Sequence, residues 1–517
     1  MNFEIIFVLL ALVGMIGALI WDGLRPGMVL LTVVVLFLCA GILTPKEMLE
    51  GFSNKGMITV GMLFLVSEGI RQSGALGQLI KKLLPEGKTT VFKAQFRMLP
   101  PIAFISAFLN NTPVVVIFAP IIKRWAESVK LPATKFLIPL SYVTILGGIC
   151  TLIGTSTNLV VHGMILEAGY EGFTMFELGK VGIFIALAGI IYLFAFSNKL
   201  LPDSRADRYE EEEEEGNPGN LHRVEAVLGS RFPGINKTLG EFNFTRHYGA
   251  IVKEVKSGGQ RFTRDLDKVT LHEGDTLVLW ADDTFVPTWG ESSVFLLLAN
   301  GTDGTEPVSR KKRWLALGLL IFMIVGATVG ELPAVKEAFP EIRLDMFFFV
   351  CITTIIMAWT KIFPPKKYTK YISWDILITI ACAFAISKAM ENSGFAALIA
   401  RHIIGMAHNI GPYALLAILF IITNIFTELI TNNAAAALSF PIALSVATQL
   451  GVDPTPFFVV ICMAASASFS TPIGYQTNLI VQGIGSYKFT DFVKIGLPLN
   501  LITFLISVFV IPMIWKF

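Results

Sequence analysis

The stretch Ser106-Ala107-Phe108-Leu109-Asn110-Asn111-Thr112-Pro113 sets two amides, two hydroxyls and a proline in the middle of the apolar segment Ala94–Trp125. Basic residues lie on both sides of its centre. Lys81, Lys82, Lys88, Lys93 and Arg97 come before it, and Lys123, Arg124, Lys130 and Lys135 come after. Lysine and arginine gather on the cytoplasmic side of membrane proteins. Both clusters share that side only if the segment enters and leaves by the same face. Ala94–Trp125 is therefore expected to be a re-entrant hairpin with the polar stretch at its tip.

The rest of the chain fits a membrane setting. Its 517 residues are 54% hydrophobic and 15% charged, too apolar a balance for a soluble chain of this length. A helix needs about 20 residues to cross the hydrocarbon core. Ten stretches are read as spans: Asn2–Ile20, Gly27–Leu43, Met57–Ile70, Phe136–Ile165, Val181–Phe196, Trp314–Val329, Met346–Trp359, Trp374–Met390, Phe457–Val481 and Ile495–Trp515. No small-residue cleavage pattern follows the first, which reads as a mature helix. The five cysteines are scattered through apolar segments without metal-ligand spacing and read as inert. A net charge of +2 says nothing about partners. Membrane lipid is an expected partner and nucleic acid is not.

Three motifs recur in the same order. Ser67–Gly74 matches Ser387–Gly394, Asn110-Asn111 matches Asn432-Asn433, and Thr157-Asn158-Leu159 matches Thr477-Asn478-Leu479, at offsets of 320, 322 and 320. Each half then holds five spans and one hairpin. An odd number of spans turns the second half over, as in secondary transporters. The loops with Glu167, Glu171 and Glu177 and with Glu331, Glu337 and Glu341 are acidic and fall outside; Lys311, Lys312, Arg313, Lys361, Lys366, Lys367 and Lys370 fall inside. The expected fold is an all-α polytopic protein of the cell's inner (plasma) membrane, an inverted repeat with both termini outside and a small α+β cytoplasmic insert.

The composition divides the chain accordingly. Residues 1–200 and 314–517 are the membrane repeats. Residues 201–220 are a polar linker with the run Glu210–Glu215, 221–297 a β-rich domain and 298–313 a second linker. His222–Leu228, Tyr248–Val255 and Thr276–Trp280 read as strands.

Four polar clusters interrupt the apolar segments: Ser106, Asn110, Asn111, Thr112 and Pro113; Glu428, Thr431, Asn432 and Asn433; Gly154–Asn158; and Ser470–Asn478. Broken backbone at membrane depth is tolerated only against protein or a watery cavity. A broken helix offers unpaired N–H groups and a positive dipole end to an anion. Its free carbonyls, with Asn and Thr oxygens, suit Na⁺. No Arg or Lys lies in the clusters, so Na⁺ would supply the positive charge. Taken singly, such residues can also glue helices together. In symmetric positions they point to one anion site flanked by two cation sites. Glu428, opposite Ser106 in this register, could neutralise a cation or reach water. A channel gated by the insert would need a continuous pore. An exchanger would use intramembrane Asp, which the clusters lack. No nucleophile–base pair or metal site suggests an enzyme.

Asn110-Asn111-Thr112 and Thr431-Asn432-Asn433 resemble the paired Ser-Asn-Thr hairpin signatures of the divalent-anion:sodium symporter family. Leu146–Asn158 and Ser470–Asn478 resemble its two broken-helix motifs. The resemblance implies an elevator-type homodimer that co-transports Na⁺ with sulfate, dicarboxylates or citrate. It implies Ser106, Asn110, Asn111 and Gly154 at one Na⁺ site and Glu428, Asn432, Asn433 and Gly474 at the other. It implies Asn111, Thr112, Thr155, Ser156, Thr157, Asn433, Gln476 and Thr477 around the anion. The signature's first serine reads as Asn here (Asn110, Asn432) and its second threonine as Ala434. Tyr475-Gln476-Thr477-Asn478 stands where dicarboxylate members tend to have Ser/Thr-Pro-Pro-Asn, which resembles the sulfate-transporting branch.

Residues 221–297 resemble the TrkA-C module of potassium-channel regulators. Pro233–Gly240, Tyr248–Val252 and Leu271–Leu277 carry the likeness. It implies a small-molecule ligand, possible nucleotides included, acting through the span Trp314–Val329 on the fixed part of the dimer.

Overall fold

A computed structural model describes the chain except residues 1–2, 22–23, 86, 204–220, 230, 259, 283–284, 290–293, 301–309, 340 and 408–411. The run Glu210–Glu215 and most of both linkers lie outside the described residues. The chain is mostly helical. In the first part the principal helices are α1 (Phe3–Trp21), α2 (Pro26–Cys39), α3 (Lys55–Gln72), α4 (Ala75–Leu83), α5 (Val91–Ser106), α6 (Asn111–Ser128), α7 (Thr134–Gly148), α8 (Ser156–Glu167) and α9 (Gly179–Leu200). In the last part they are α10 (Arg310–Gly330), α11 (Met346–Trp359), α12 (Trp374–Asn392), α13 (Phe395–Ala407), α14 (Pro412–Leu429), α15 (Asn432–Leu450), α16 (Thr455–Ser466), α17 (Gln476–Gly485) and α18 (Phe489–Ile514). The second set follows the first in order.

The Ser-Gly pair that ends α3 recurs at the end of α12. Gly74 and Gly394 take positive φ of 67° and 75°, which glycine adopts without strain. Ser73 Oγ donates to the Ile70 carbonyl at 2.7 Å and Ser393 Oγ to the Met390 carbonyl at 3.3 Å. Each serine hydroxyl also accepts the N–H that opens the next helix.

The apolar stretches all carry helix, but not all as long spans. α2 and α11 have 14 residues each, about 21 Å at 1.5 Å per residue. Phe136–Ile165 and Phe457–Val481 are each split, into α7 and α8 and into α16 and α17. Conversely, α15 is long and apolar enough to cross a membrane, although its alanine-rich sequence did not read as a span. The two parts interlock: α6 packs on α17 and α15 on α8.

Between the halves, β1 (His222–Leu228), β2 (Ile251–Ser257), β3 (Gln260–Phe262), β4 (Thr276–Ala281) and β5 (Phe295–Asn300) form an antiparallel sheet in the order β3-β2-β4-β1-β5. β5 runs past residue 297, and Tyr248 ends a short helix, Phe244–Tyr248, before β2 begins. Phe232, Phe242, Phe244, Tyr248 and Phe295 fill the sheet's core. The sheet packs on α6 through β5 and on α17 through β1, and Val227 joins the membrane core. Its packing partners are therefore hairpin and broken helix, where the sequence pointed to the span Trp314–Val329.

Candidate functional site

The four breaks converge. α6 begins at Asn111, five residues after α5 ends at Ser106, and Ser106 Oγ donates to Asn111 Oδ1 at 2.8 Å. Thr151, in the break between α7 and α8, donates its hydroxyl to the Ala107 carbonyl and accepts the Gly154 N–H at 3.2 Å. Asn158 Nδ2 ties the break down by donating to the Thr151 carbonyl at 2.9 Å. A Cβ on Gly148 would lie 2.6 Å from Asn111 Oδ1 and 3.1 Å from the Gly154 carbonyl. Glycine is needed there because the oxygens close in on the backbone. Ser106, Asn111, Gly148 and Gly154 thus form an oxygen-rich cage.

The second half builds the same cage. Thr427 Oγ1 donates to Asn432 Oδ1 at 2.9 Å, Thr471 Oγ1 to the Glu428 carbonyl at 3.1 Å, and Asn478 Nδ2 to the Thr471 carbonyl at 3.2 Å. Gly474 backs directly onto Ser468 Oγ and the Thr427 carbonyl. These bonds correct the repeat register at the hairpin tips. Asn111 corresponds to Asn432, Ser106 to Thr427 and Ala107 to Glu428, one residue away from the sequence pairing of Asn111 with Asn433 and Ser106 with Glu428. Asn110 and Thr431 are the matching helix N-caps.

Glu428 therefore stands beside the second cage. Its carboxylate accepts the N–H groups of Ser470 and Thr471, each at 2.8 Å, and Asn500 Nδ2 at 2.7 Å. Asn500 also donates to Ser470 Oγ at 2.8 Å, while its buried Oδ1 has no hydrogen-bond partner among the described residues.

The halves meet at Tyr475, which the sequence reading quoted but did not assign to the site. Asn111 Nδ2 donates to its hydroxyl at 2.6 Å, and Thr155 Oγ1 lies 3.1 Å from that hydroxyl. Thr155 and Tyr475 are the N-caps of α8 and α17, and neither side chain caps its own helix. The first-turn N–H groups of both half-helices are left without a side-chain cap. The clue in the sequence was positional, an aromatic at the residue before a predicted helix start.

The remaining expected residues divide. Ser156 and Thr157 donate to Asn433 Oδ1 at 3.1 and 3.3 Å, so Asn433 belongs to the α8 start rather than to a cage. Thr477 accepts from Ser141 at 2.9 Å. Asn110 makes no capping bond and lines a small cavity of about 10 Å³ with Ser67, Phe108, Ser156 and Met323. Thr112 and Gln476 are half-buried in the first turns of α6 and α17. Every bond between the halves named here joins hydroxyls and amides.

Comparison with known proteins matches this arrangement to a family. The citrate transporter family profile covers residues 16–351 and 334–517. The chain belongs to that family. It is similar to an uncharacterized transporter of Synechocystis, 28% identical over 93% of this chain and 92% of that protein. An uncharacterized transporter of Escherichia coli is 25% identical over the full length of both. The sodium/sulfate cotransporter 2 of Chlamydomonas reinhardtii is 30% identical over 56% of this chain but only 32% of its own length. This citrate transporter family member is thus a multi-pass membrane transporter and not an enzyme.

Proposed function

We propose that the chain is a sodium-coupled secondary transporter of a compact divalent oxyanion, sulfate above all. The observation that carries this is the Tyr475 joint. A bulky phenol between Asn111 and Thr155 narrows the space between the two half-helix N-termini. Those termini suit an anion, and a tetrahedral one fits beside the ring better than an extended dicarboxylate. The Chlamydomonas relative, named a sodium/sulfate cotransporter, agrees with this reading.

In this proposal Na⁺ binds in the two cages, Ser106, Asn111, Gly148 and Gly154 in one, Thr427, Asn432, Ser468 and Gly474 in the other. The anion lies against Thr112, Thr155, Ser156, Thr157, Asn433, Tyr475, Gln476 and Thr477. Glu428, with Asn110, acts beside the cages. The halves are inverted repeats, α5–α9 and α14–α18 moving as an elevator body against a dimeric scaffold. The sheet domain is a cytoplasmic TrkA-C-like module, residues 221–300, and the termini are outside.

Purified protein in proteoliposomes tests this. Labelled sulfate should accumulate on an inward Na⁺ gradient, and selenate or thiosulfate should compete better than citrate or succinate. Stronger competition by citrate or succinate would reassign the substrate to the di- and tricarboxylates, a class to which the citrate of the family's description belongs.

A further inference from the structure

The sheet domain grips the far ends of two helices whose near ends build the site. α6 starts at Asn111 and carries Lys123 on its fourth turn, about 18 Å along. α17 starts at Gln476, just after Tyr475, and carries Leu479 and Gly483 toward the domain. The two helices come from different halves of the chain.

Both grips are close. Lys123, 9% exposed, reaches both carboxylate oxygens of Glu225 on β1, at 3.0 and 3.1 Å. Glu225 also takes Lys256 from β2 at 3.3 Å, and Lys256 is 2% exposed. Burial would raise the Glu225 carboxyl, but Lys123 and Lys256 outweigh it and hold the group well below the usual carboxylate range. Glu225 therefore stays charged across physiological pH. On the other side, a Cβ on Gly483 would lie 2.5 Å from the Gly274 carbonyl and 2.5 Å from Thr276 Oγ1. Only glycine lets α17 approach this loop. A Cβ on Gly274 would in turn meet Leu479 at 3.2 Å.

At the site, the same two helices are tied to each other by Asn111 Nδ2 donating to the Tyr475 hydroxyl at 2.6 Å. The contacts close a loop: domain, α6, Asn111, Tyr475, α17, domain. We infer that the sheet domain is a positioning clamp for the anion site, fixing α6 against α17 through Lys123–Glu225 and the Gly483 contact. Whatever displaces the domain then changes the Asn111–Tyr475 geometry and hence anion affinity, without touching the anion. A state-dependent contact of this kind couples two sites by its difference in free energy between states.

The inference rests on the proposed anion site, and two measurements separate their fates. In proteoliposomes, Lys123→Met and Glu225→Gln should each raise the sulfate KM by about five-fold or more, the lower end of ordinary coupling. Both variants remove the Lys123–Glu225 contact, so the double variant should fall short of the sum of the singles, Glu225→Gln also losing Lys256. Lys268→Ala, in an exposed pair with Asp265, should leave uptake unchanged. Wild-type protein that does not take up sulfate refutes the substrate reading. Wild-type uptake with an unchanged KM in both variants refutes the clamp. The second measurement needs no substrate: hydrogen exchange in detergent-solubilised full chain. Glu225→Gln should speed exchange in the first turns of α6 and α17, at residues 111–114 and 476–479. Unchanged exchange there would overturn the clamp even if uptake fell.

Discussion

The two cages differ in charge: Glu428 stands beside the second where Ala107 stands beside the first. In the first, the Thr151 hydroxyl closes on the carbonyl of Ala107; in the second, the Thr471 hydroxyl closes on that of Glu428. The first is held by hydroxyls, amides and backbone alone. The second has an added carboxylate that gathers two backbone N–H groups and Asn500. A repeated backbone fold thus supports two electrostatic settings, one neutral and one anionic. The neutral cage carries the joint instead: Asn111 is bonded within the cage through Oδ1 and across to Tyr475 through Nδ2.

That division ranks the expected effects. Asn111→Ala breaks two buried bonds, and with each worth about 1–3 kcal/mol sulfate uptake should fall by roughly a hundredfold or more. Asn432→Ala loses its cage bond and a weaker polar contact with the Tyr475 hydroxyl, and should cost less. Equal losses in the two variants would remove the joint from the account. Tyr475→Phe keeps the ring and loses the hydroxyl. It should raise the sulfate KM by roughly tenfold or more, since the hydroxyl's bonds with Asn111 and Thr155 are both lost. An unchanged KM would reduce Tyr475 to packing.

Glu428→Gln tests the anionic setting. The amide cannot accept both the Ser470 and Thr471 N–H groups as the carboxylate does. The Na⁺ requirement should rise by several-fold, a cost of about 1 kcal/mol, with expression kept. Wild-type Na⁺ dependence in the variant would leave Glu428 a brace for the break and no more.

The smallest effect lies outside both cages. Burial raises the Asp275 carboxyl to about 6, against stabilising bonds from Ser257 and His272. The folded state then holds the proton more tightly than the unfolded chain. Asp275's contribution favours the folded domain at acid pH and is lost as pH rises from about 4 toward 6. Asp275→Asn should flatten this change, read as β4 hydrogen exchange between about pH 4 and 6.

Much of this was legible in the sequence. The apolar stretches and their breaks follow from composition, and the Ser73-Gly74 and Ser393-Gly394 turns recur at a fixed offset. The hairpin register was not legible. Asn-Asn pairs with Asn-Asn by eye, whereas the bonds pair Ser106 with Thr427, two residue types with one hydroxyl role. α15 falls in the second expected hairpin, whose tip Asn432-Asn433 repeats Asn110-Asn111, and so does not count among the expected spans. Lys123 was read as a marker of sidedness. Its buried pairing with Glu225 joins positions 102 residues apart, which no local pattern discloses. Tyr475 was passed over for the same reason: its partners, Asn111 and Thr155, lie in the other half.

The most direct test of two sodium cages flanking one anion is the steepness of Na⁺ activation. Initial sulfate uptake should be measured against external Na⁺ in proteoliposomes, at fixed membrane potential and ionic strength. A sigmoidal dependence is expected, with a Hill coefficient above one, that shifts to higher Na⁺ in both Ser106→Ala and Thr427→Ala. Uptake indifferent to Na⁺, or a simple hyperbola untouched by both substitutions, would contradict it.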